Sequence, residues 1–227
     1  MWHRHDGRNT GSWTWSGSKR VGDGWQKFKH VFSDGEGIIY AVQNNGALLW
    51  YRHDGRGDGS NNWTGGKQVG GNWQNFKHVF SGGDGIIYAI QNDGVLLWYH
   101  HDGRGEGTGA WTGPRQVGSG WQNFKNVFSD GDGIIYAIQN DGALLWYRHN
   151  GRTDGSGTWT GPKRVSNDGW HNFKHVFSGG DGIVYAIQID GQMLWYRHDG
   201  RNDGSTAWTR FEQVGDGWSN FKNVFCF

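Results

Sequence analysis

Several residue types are scarce in this 227-residue sequence, and each shortage excludes a class of protein. The single cysteine, Cys226, allows neither an intrachain disulfide nor a metal site built from several cysteines. No apolar run reaches the length of about 18 residues that a membrane-spanning helix needs, so we predict no membrane insertion. The polar N-terminus, MWHRHDGRNT, lacks the apolar segment of a signal peptide, so we predict none within this sequence.

Neither sign of charge dominates, since 22 basic and 21 acidic residues leave a formal net charge of +1. This balance gives no basic footprint, so we predict no nucleic-acid partner. Leu, Ile, Val and Phe make up about a fifth of the chain, a level that indicates disorder only when net charge is high. The apolar content is instead aromatic, with 16 Trp, 12 Phe and 8 Tyr beside 42 Gly. Aromatic packing and tight turns favour an all-β protein.

One segment, WYRHDGR with its close variants, recurs about every 48 residues. Its copies begin at Trp2, Trp50, Trp98, Trp146 and Trp195. Each copy continues through a glycine-rich loop to a second Trp, then a short segment ending in Val, then the block GxGW-x-x-FK-x-VF. Four of the five units add a segment similar to IIYAIQ, followed by NNG, by NDG twice and by IDG once. The chain is therefore a repeat protein.

Each unit contains four pieces of the length and composition of β-strands, and the NDG or NNG turns are strong hairpin signals. Four short antiparallel strands in each repeat of this length are typical of a β-propeller blade. A linear solenoid is the weaker alternative, because the end units show no change in character that would cap an open array. Closure would also remove the exposed strand edges that an open array leaves.

We predict one domain over residues 1–227, an all-β, five-bladed propeller of four-stranded antiparallel blades. Its closing blade would combine N-terminal outer strands with an inner strand at residues 225–227 and would lack about one strand. A neighbouring chain that supplied this strand would make the protein a homo-oligomer.

The combination of GxGW-x-x-FK-x-VF, a following G-x-I-Y-A-I and a long loop that ends in a Trp resembles the tachylectin-2 lectins. The resemblance covers nearly the whole chain. It implies a five-bladed propeller that binds glycans carrying N-acetylglucosamine or N-acetylgalactosamine, and it favours an extracellular or cell-surface location. It also implies sugar sites between blades, each built from a long outer loop and the segment that enters the blade.

Carried over by position, the resemblance implies five candidate sites. They pair residues 22–25 with 54–63, 70–73 with 102–111, 118–121 with 150–159, 167–170 with 199–208, and 215–218 with 6–13. Their candidate sugar-binding residues are Asp6, Trp13, Asp23, Trp25, Asp54, Asn62, Trp63, Asn72, Trp73, Asp102, Trp111, Trp121, Trp159, Asp168, Trp170, Asp199, Trp208, Asp216 and Trp218.

Elementary chemistry supports such sites beside the resemblance. A pyranose ring has an apolar face and a rim of hydroxyls, which an aromatic platform with short polar groups can match. Weak single sites gain avidity when they are linked in one chain. Packing between blades is the alternative role for these Trp residues. For the GxGW Trp, packing and ligand contact are equally favoured. For the loop Trp, ligand contact is favoured over packing.

Other readings of the repeated residues are weaker. The recurrent His5, His53, His101, His149 and His198 supply too few ligands per blade for a metal, so we predict that each ring bonds to its own loop. Calcium is an alternative at residues 129–133 and 53–59, but Asp-Gly pairs are explained equally well by turns. We predict no cofactor.

Catalysis has little support, because acids, His and Arg recur in near-identical copies without one distinctive constellation. We therefore predict that the protein is not an enzyme. The integrin-type tripeptide Arg56-Gly57-Asp58 occurs in one copy only, so we interpret it as a coincidence. The N-glycosylation sequon at Asn62 matters only if the chain passes through a secretory pathway. The alternative function is a structural or protein-interaction propeller, including a designed or duplicated repeat protein, without sugar binding.

Overall fold

The computed structural model describes residues 1–226, without the side chain of Arg210, and its regular structure is mostly β-strand. The strands are β1 (Trp2–His5), β2 (Trp15–Lys19), β3 (His30–Gly35), β4 (Ile38–Val42), β5 (Leu48–His53), β6 (Trp63–Gly70), β7 (Phe76–Gly83), β8 (Ile86–Gln91), β9 (Leu96–His101), β10 (Trp111–Gly118), β11 (Phe124–Gly131), β12 (Ile134–Gln139), β13 (Leu144–His149), β14 (Trp159–Ser166), β15 (His175–Gly180), β16 (Ile183–Ile187), β17 (Met193–His198) and β18 (Trp208–Gly215). Short 3₁₀ helices span Trp25–Lys27, Trp73–Asn75, Trp121–Asn123, Trp170–Asn172 and Trp218–Asn220.

Sixteen of these strands form four sheets, each made of four consecutive strands. Blade 1 contains β3–β6, blade 2 contains β7–β10, blade 3 contains β11–β14 and blade 4 contains β15–β18. Neighbouring strands are antiparallel in every blade. The prediction of an all-β propeller with four-stranded antiparallel blades is confirmed.

The second strand of each blade is covered on both faces, which explains its run of β-branched and aromatic residues. Every residue of β4 and of β16 is buried. In blade 1, Tyr40 and Trp50 are completely buried, and they belong to one cluster with Val79 and Ile87 of blade 2. Blades 3 and 4 share a matching cluster. Large aromatic side chains thus share the core with the aliphatic residues of the second strands.

The turn between the second and third strands requires a glycine. Gly46 has φ +90°, a left-handed conformation that L side chains rarely adopt. A Cβ at this position would lie 1.7 Å from Oε1 of Gln74 in the following 3₁₀ helix. The carbonyl of Gly46 accepts the backbone N–H of Trp73 at 3.0 Å. The hairpin predicted from NNG therefore also positions the segment that enters blade 2.

The prediction of five blades is wrong. The described residues form four complete blades and, in addition, a two-stranded sheet of β1 and β2. Residues 221–226 form no strand, and Phe227 lies outside the described residues. In each complete blade, the inner strand pairs with the second strand of that blade. Within these 227 residues, no segment similar to IIYAIQ follows the fifth FK-x-VF copy. Completion by a neighbouring chain stays a prediction.

The described residues divide into two compact units. The first contains residues 1–4 and 16–122, with blades 1 and 2. The second contains residues 5–15 and 123–226, with blades 3 and 4. The single domain inferred from the repeats stays a prediction. Among the described residues, no helix has the length and apolar character needed to cross a membrane.

Candidate functional site

A tryptophan stands where each long loop ends and the outermost strand begins. Trp63, the first residue of β6, donates its indole Nε1–H to the carbonyl oxygen of Val21 at 2.6 Å. Equivalent bonds join Trp111 to Val69 at 2.7 Å, Trp208 to Val165 at 2.9 Å, and Trp15 to Val214. The accepting valine ends the outer-strand segment of the preceding repeat. Each bond therefore links the outer strands of successive repeats.

The same tryptophan stacks on the histidine that precedes its loop. Ring centroids lie 4.1 to 4.3 Å apart and the planes meet at 14° to 22°. The pairs are His5–Trp15, His53–Trp63, His101–Trp111, His149–Trp159 and His198–Trp208. In the four repeats whose indole N–H bonds to a valine carbonyl, the loop Trp also has one face covered, so it is held in one orientation.

Each of these histidines also bonds to its own loop, as predicted. His101 Nε2 lies 2.6 Å from the carbonyl oxygen of Thr108, and its Nδ1 lies 2.6 Å from the hydroxyl of Tyr40. A carbonyl only accepts, so Nε2 carries the proton and Nδ1 accepts from the tyrosine hydroxyl. Matching loop bonds join His5 to Ser12, His53 to Ser60, His149 to Ser156 and His198 to Ser205. The imidazoles serve as loop anchors.

These anchors predict acid sensitivity near neutral pH. Burial lowers the pKa of His5, His101, His149 and His198 below the usual value. The folded state therefore resists a proton that the unfolded chain accepts near pH 6.5, so stability is complete above that pH and falls as the pH drops below it. We expect the denaturant midpoint to decrease between pH 7.5 and pH 5.

The control for this pH effect is His198→Gln, which removes one of the four histidines whose pKa is lowered. It should lower stability at pH 7.5 and should reduce the loss between pH 7.5 and pH 5. A midpoint that stays constant over this interval would contradict the role assigned to the histidines.

The second tryptophan of each predicted site opens the 3₁₀ helix that enters the blade. Its ring packs beside the loop Trp, at 5.5 Å for Trp25–Trp63. Other pairs are Trp73–Trp111 at 5.9 Å, Trp170–Trp208 at 5.7 Å and Trp15–Trp218 at 5.4 Å. A left-handed residue, such as Asn72 at φ 68°, turns the chain into this helix. The structure thus brings together the two halves of the first, second and fourth predicted sites, whereas Trp218 of the fifth contacts Trp15, which lies outside residues 6–13.

A tyrosine completes this arrangement in blades 1, 2 and 4. Tyr51 lies 4.9 Å from Trp25, and Tyr99 and Tyr196 pack on Trp73 and Trp170 at 4.8 and 5.0 Å. We call the loop Trp, the entry Trp and this Tyr the aromatic cluster of a blade. Sequence reasoning missed the tyrosine, although its repetition directly after the Trp that begins four of the five WYRHDGR copies was a visible signal.

Burial separates the two tryptophans of the cluster. The entry residues Trp73, Trp121 and Trp170 are each only 5% exposed, so packing is their principal role. The loop residues Trp63, Trp111, Trp159 and Trp208, like Trp25 and Trp218, are half-buried. In the second and fourth sites the accessible indole surface therefore lies on the loop Trp, whereas in the first site both tryptophans are half-buried.

The predicted acids fall into two groups. Asp54 accepts hydrogen bonds from Arg52 and Thr64, both at 2.7 Å, and so ties together the strands that flank its loop. Asp102 and Asp199 bind Thr112 and Thr209 in the same way. The remaining predicted polar residues lie exposed on the loops and entry segments: Asp6, Asp23, Asn62, Asn72, Asp168 and Asp216.

The first loop differs from the sequence expectation in its tryptophan. Trp15, not Trp13, bonds Val214 and stacks on His5, so it occupies the position of Trp63 and its equivalents. Trp13 is 56% exposed. The paired tryptophans of this loop left either assignment open from sequence alone. The halves of the third predicted site, residues 118–121 and 150–159, belong to different compact units, and that site stays a prediction.

Of the two turns considered as calcium sites, residues 129–133 hold a protein cation instead, and the equivalent turn at Asp34 in blade 1 does the same. The buried Asp34 accepts hydrogen bonds from Ser81 Oγ, from Gly85 N at 2.9 Å and from Arg104 Nε. Asp130 repeats these contacts with Ser178, Gly182 and Arg201. A guanidinium on each carboxylate already neutralises its charge, which disfavours calcium there. Among the described residues, no group of three or more His, Cys, Asp or Glu could hold a metal ion.

Comparison with known proteins gives a family and a fold. A sequence model of the tachylectin family matches residues 1–223, whereas no curated protein matches the chain. A symmetrical protein from a study of de novo evolutionary emergence is 19% identical, with 90% of this chain and 84% of that chain covered and a TM-score of 0.58. The SapL1 lectin, solved with alpha methyl fucoside, is 13% identical over 85% and 67% of the two chains, with a TM-score of 0.47. At 19% identity, the likeness to the symmetrical protein supports the fold alone.

Proposed function

Because the chain belongs to the tachylectin family, we propose that it is a multivalent lectin for N-acetylated amino sugars. The ligands are glycans carrying N-acetylglucosamine or N-acetylgalactosamine, bound at repeated sites between successive blades. The observation that carries the proposal is the recurrent loop Trp, held at the same place by the same histidine in all five repeats.

A fixed indole suits a sugar because a pyranose buries one apolar face against it. An aromatic ring already held in its bound orientation loses little entropy when the ligand arrives. The exposed Asp and Asn side chains around it accept hydrogen bonds from hydroxyls, and Asn also donates them. Five weak sites in one chain gain avidity on a surface that displays many copies of the sugar.

The direct test is tryptophan fluorescence during titration with N-acetylglucosamine and N-acetylgalactosamine. Glucose is the matched control ligand, because it differs from N-acetylglucosamine only in the acetamido group. We expect a saturable spectral change with the two N-acetylated sugars and a much weaker one with glucose. No response to any amino sugar, together with binding to a glycan-free protein, would support the protein-interaction alternative instead.

A single-site variant tests the position of binding. Trp63→Ala should lower the number of sugar sites measured by calorimetry by about one. Its far-ultraviolet circular dichroism spectrum should remain that of the folded wild type. Its midpoint should fall somewhat, because the Val21 carbonyl and the His53 ring lose their partner. Trp13→Ala is the control: this exposed Trp makes neither contact, so stoichiometry should not change. Unfolding of Trp63→Ala would mean that packing is the role of this residue.

A further inference from the structure

One residue breaks the symmetry of the outer strands with an exposed ring. Phe211 in β18 is 58% exposed. The equivalent positions in the other repeats carry Ser18, Gly66, Pro114 and Pro162, which are all smaller than phenylalanine. An exposed large apolar side chain at only one of five equivalent positions suggests a contact specific to blade 4.

Strand register places this position opposite the tyrosine of the aromatic cluster. In blade 4, Trp195 pairs with Glu212 and Arg197 pairs with Thr209, so two residues bulge opposite Tyr196. Phe211 is one of the two, and its ring lies 5.7 Å from that of Tyr196 at 41°. In blade 1, a Cβ on Gly66 would lie 3.6 Å from Tyr51. The position therefore borders the tyrosine in both blades, but only blade 4 places an aromatic ring there.

The ring of Phe211 continues an aromatic surface that begins at the fourth candidate site. Tyr196 packs on Trp170 at 5.0 Å and meets Trp208 edge-on at 6.4 Å. The order Trp208, Tyr196, Phe211 therefore runs from the loop Trp to the outer strand. A single exposed ring next to a site for one pyranose has the size that suits a second pyranose face.

We propose that Phe211 makes the fourth site a two-ring site, which selects an oligosaccharide over a single sugar. This inference rests on the lectin function proposed above. The first ring of the ligand takes the loop Trp, and the next ring lies against Phe211 beside Tyr196. The continuity of Phe211 with the aromatic cluster favours a longer glycan over a separate protein partner.

Calorimetry with two probes tests this: N-acetylglucosamine and its β-1,4-linked disaccharide. For the wild-type chain, we expect the disaccharide to show one class of site about three- to tenfold tighter than the rest. The monosaccharide should show no such class. Phe211→Ser copies the residue of β2 and should remove the tighter class, whereas Phe211→Tyr keeps the ring and should retain it.

The outcomes separate the two proposals. Loss of the tighter class in Phe211→Ser, with its retention in Phe211→Tyr, supports the two-ring site. If both sugars bind but Phe211→Ser binds the disaccharide as the wild type does, the two-ring site is wrong and the lectin function stands. If neither sugar binds the wild-type chain, both proposals are wrong. Far-ultraviolet circular dichroism checks that the variants are folded.

Discussion

Asp34→Asn should destabilise the chain by about 3 kcal/mol, because it leaves the Arg104 guanidinium without its buried counter-charge. The Asp34 side chain is fully buried, and it receives hydrogen bonds from Ser81, Gly85 and Arg104. An asparagine keeps one acceptor oxygen but turns an N–H₂ group towards donors. Denaturant unfolding at pH 7.5, followed by circular dichroism, measures the loss.

The loss of stability in Asp34→Asn should not exceed about 3 kcal/mol, because another blade shows how the equivalent arginine bonds without this acid. In blade 4, glycine replaces the acid, and Arg8 bonds the Gly179 carbonyl at 2.8 Å and the exposed Asp181 at 2.9 Å. Arg104 already donates to the backbone carbonyl of Asp34 and to Glu36, so part of its bonding would survive.

Glu36→Gln is the matched control, because Glu36 bonds the same guanidinium at 2.7 Å but is 73% exposed. An exposed ion pair contributes little, so this variant should unfold with the wild type within error. Equal losses in Asp34→Asn and Glu36→Gln would show that burial of the carboxylate has no special role.

The repeat made most of the fold predictable, because strand identity depends on local patterns. IIYAIQ, NDG and LLWYRH each specify a strand or a turn within a few residues, and the structure places β8 and β9 accordingly. The ion pair of Asp34 with Arg104 joins residues in different blades, and no local pattern predicts it. The number of complete blades was mispredicted because it depends on whether residues 221–226 pair with a strand, which is also a long-range property.

The candidate site was predictable to a similar degree. Spacing alone identified the loop Trp and the entry Trp as neighbours, and Trp63 with Trp25 fulfils this. Spacing did not show that an entry Trp such as Trp73 is more deeply buried than the loop Trp. It also did not distinguish Trp13 from Trp15. Both distinctions depend on which carbonyl and which histidine the indole meets, and those partners come from other parts of the chain.

Trp50→Ala should destabilise the chain by about 3–5 kcal/mol and should also weaken the second candidate site. Trp50 is completely buried, and its Nε1–H donates to the Arg104 carbonyl in the next loop at 2.9 Å. Gly107 of that loop lies directly on the indole, since a Cβ there would be 2.5 Å from the ring. The strand Trp of one blade therefore shapes the loop that ends at Trp111 in the next blade.

The second effect separates loop anchoring from a general loss of stability. The binding measurement is made without denaturant, at a temperature where Trp50→Ala is still folded. Calorimetry should then show one sugar site fewer, or one weaker site, with the other sites unchanged. Trp13→Ala serves as the control, because this 56% exposed residue should change stability by no more than about 0.5 kcal/mol. If Trp50→Ala is destabilised but all sites bind as in the wild type, the loop holds its shape without the indole. In that case the histidine and Val69 contacts of Trp111 are sufficient to position it.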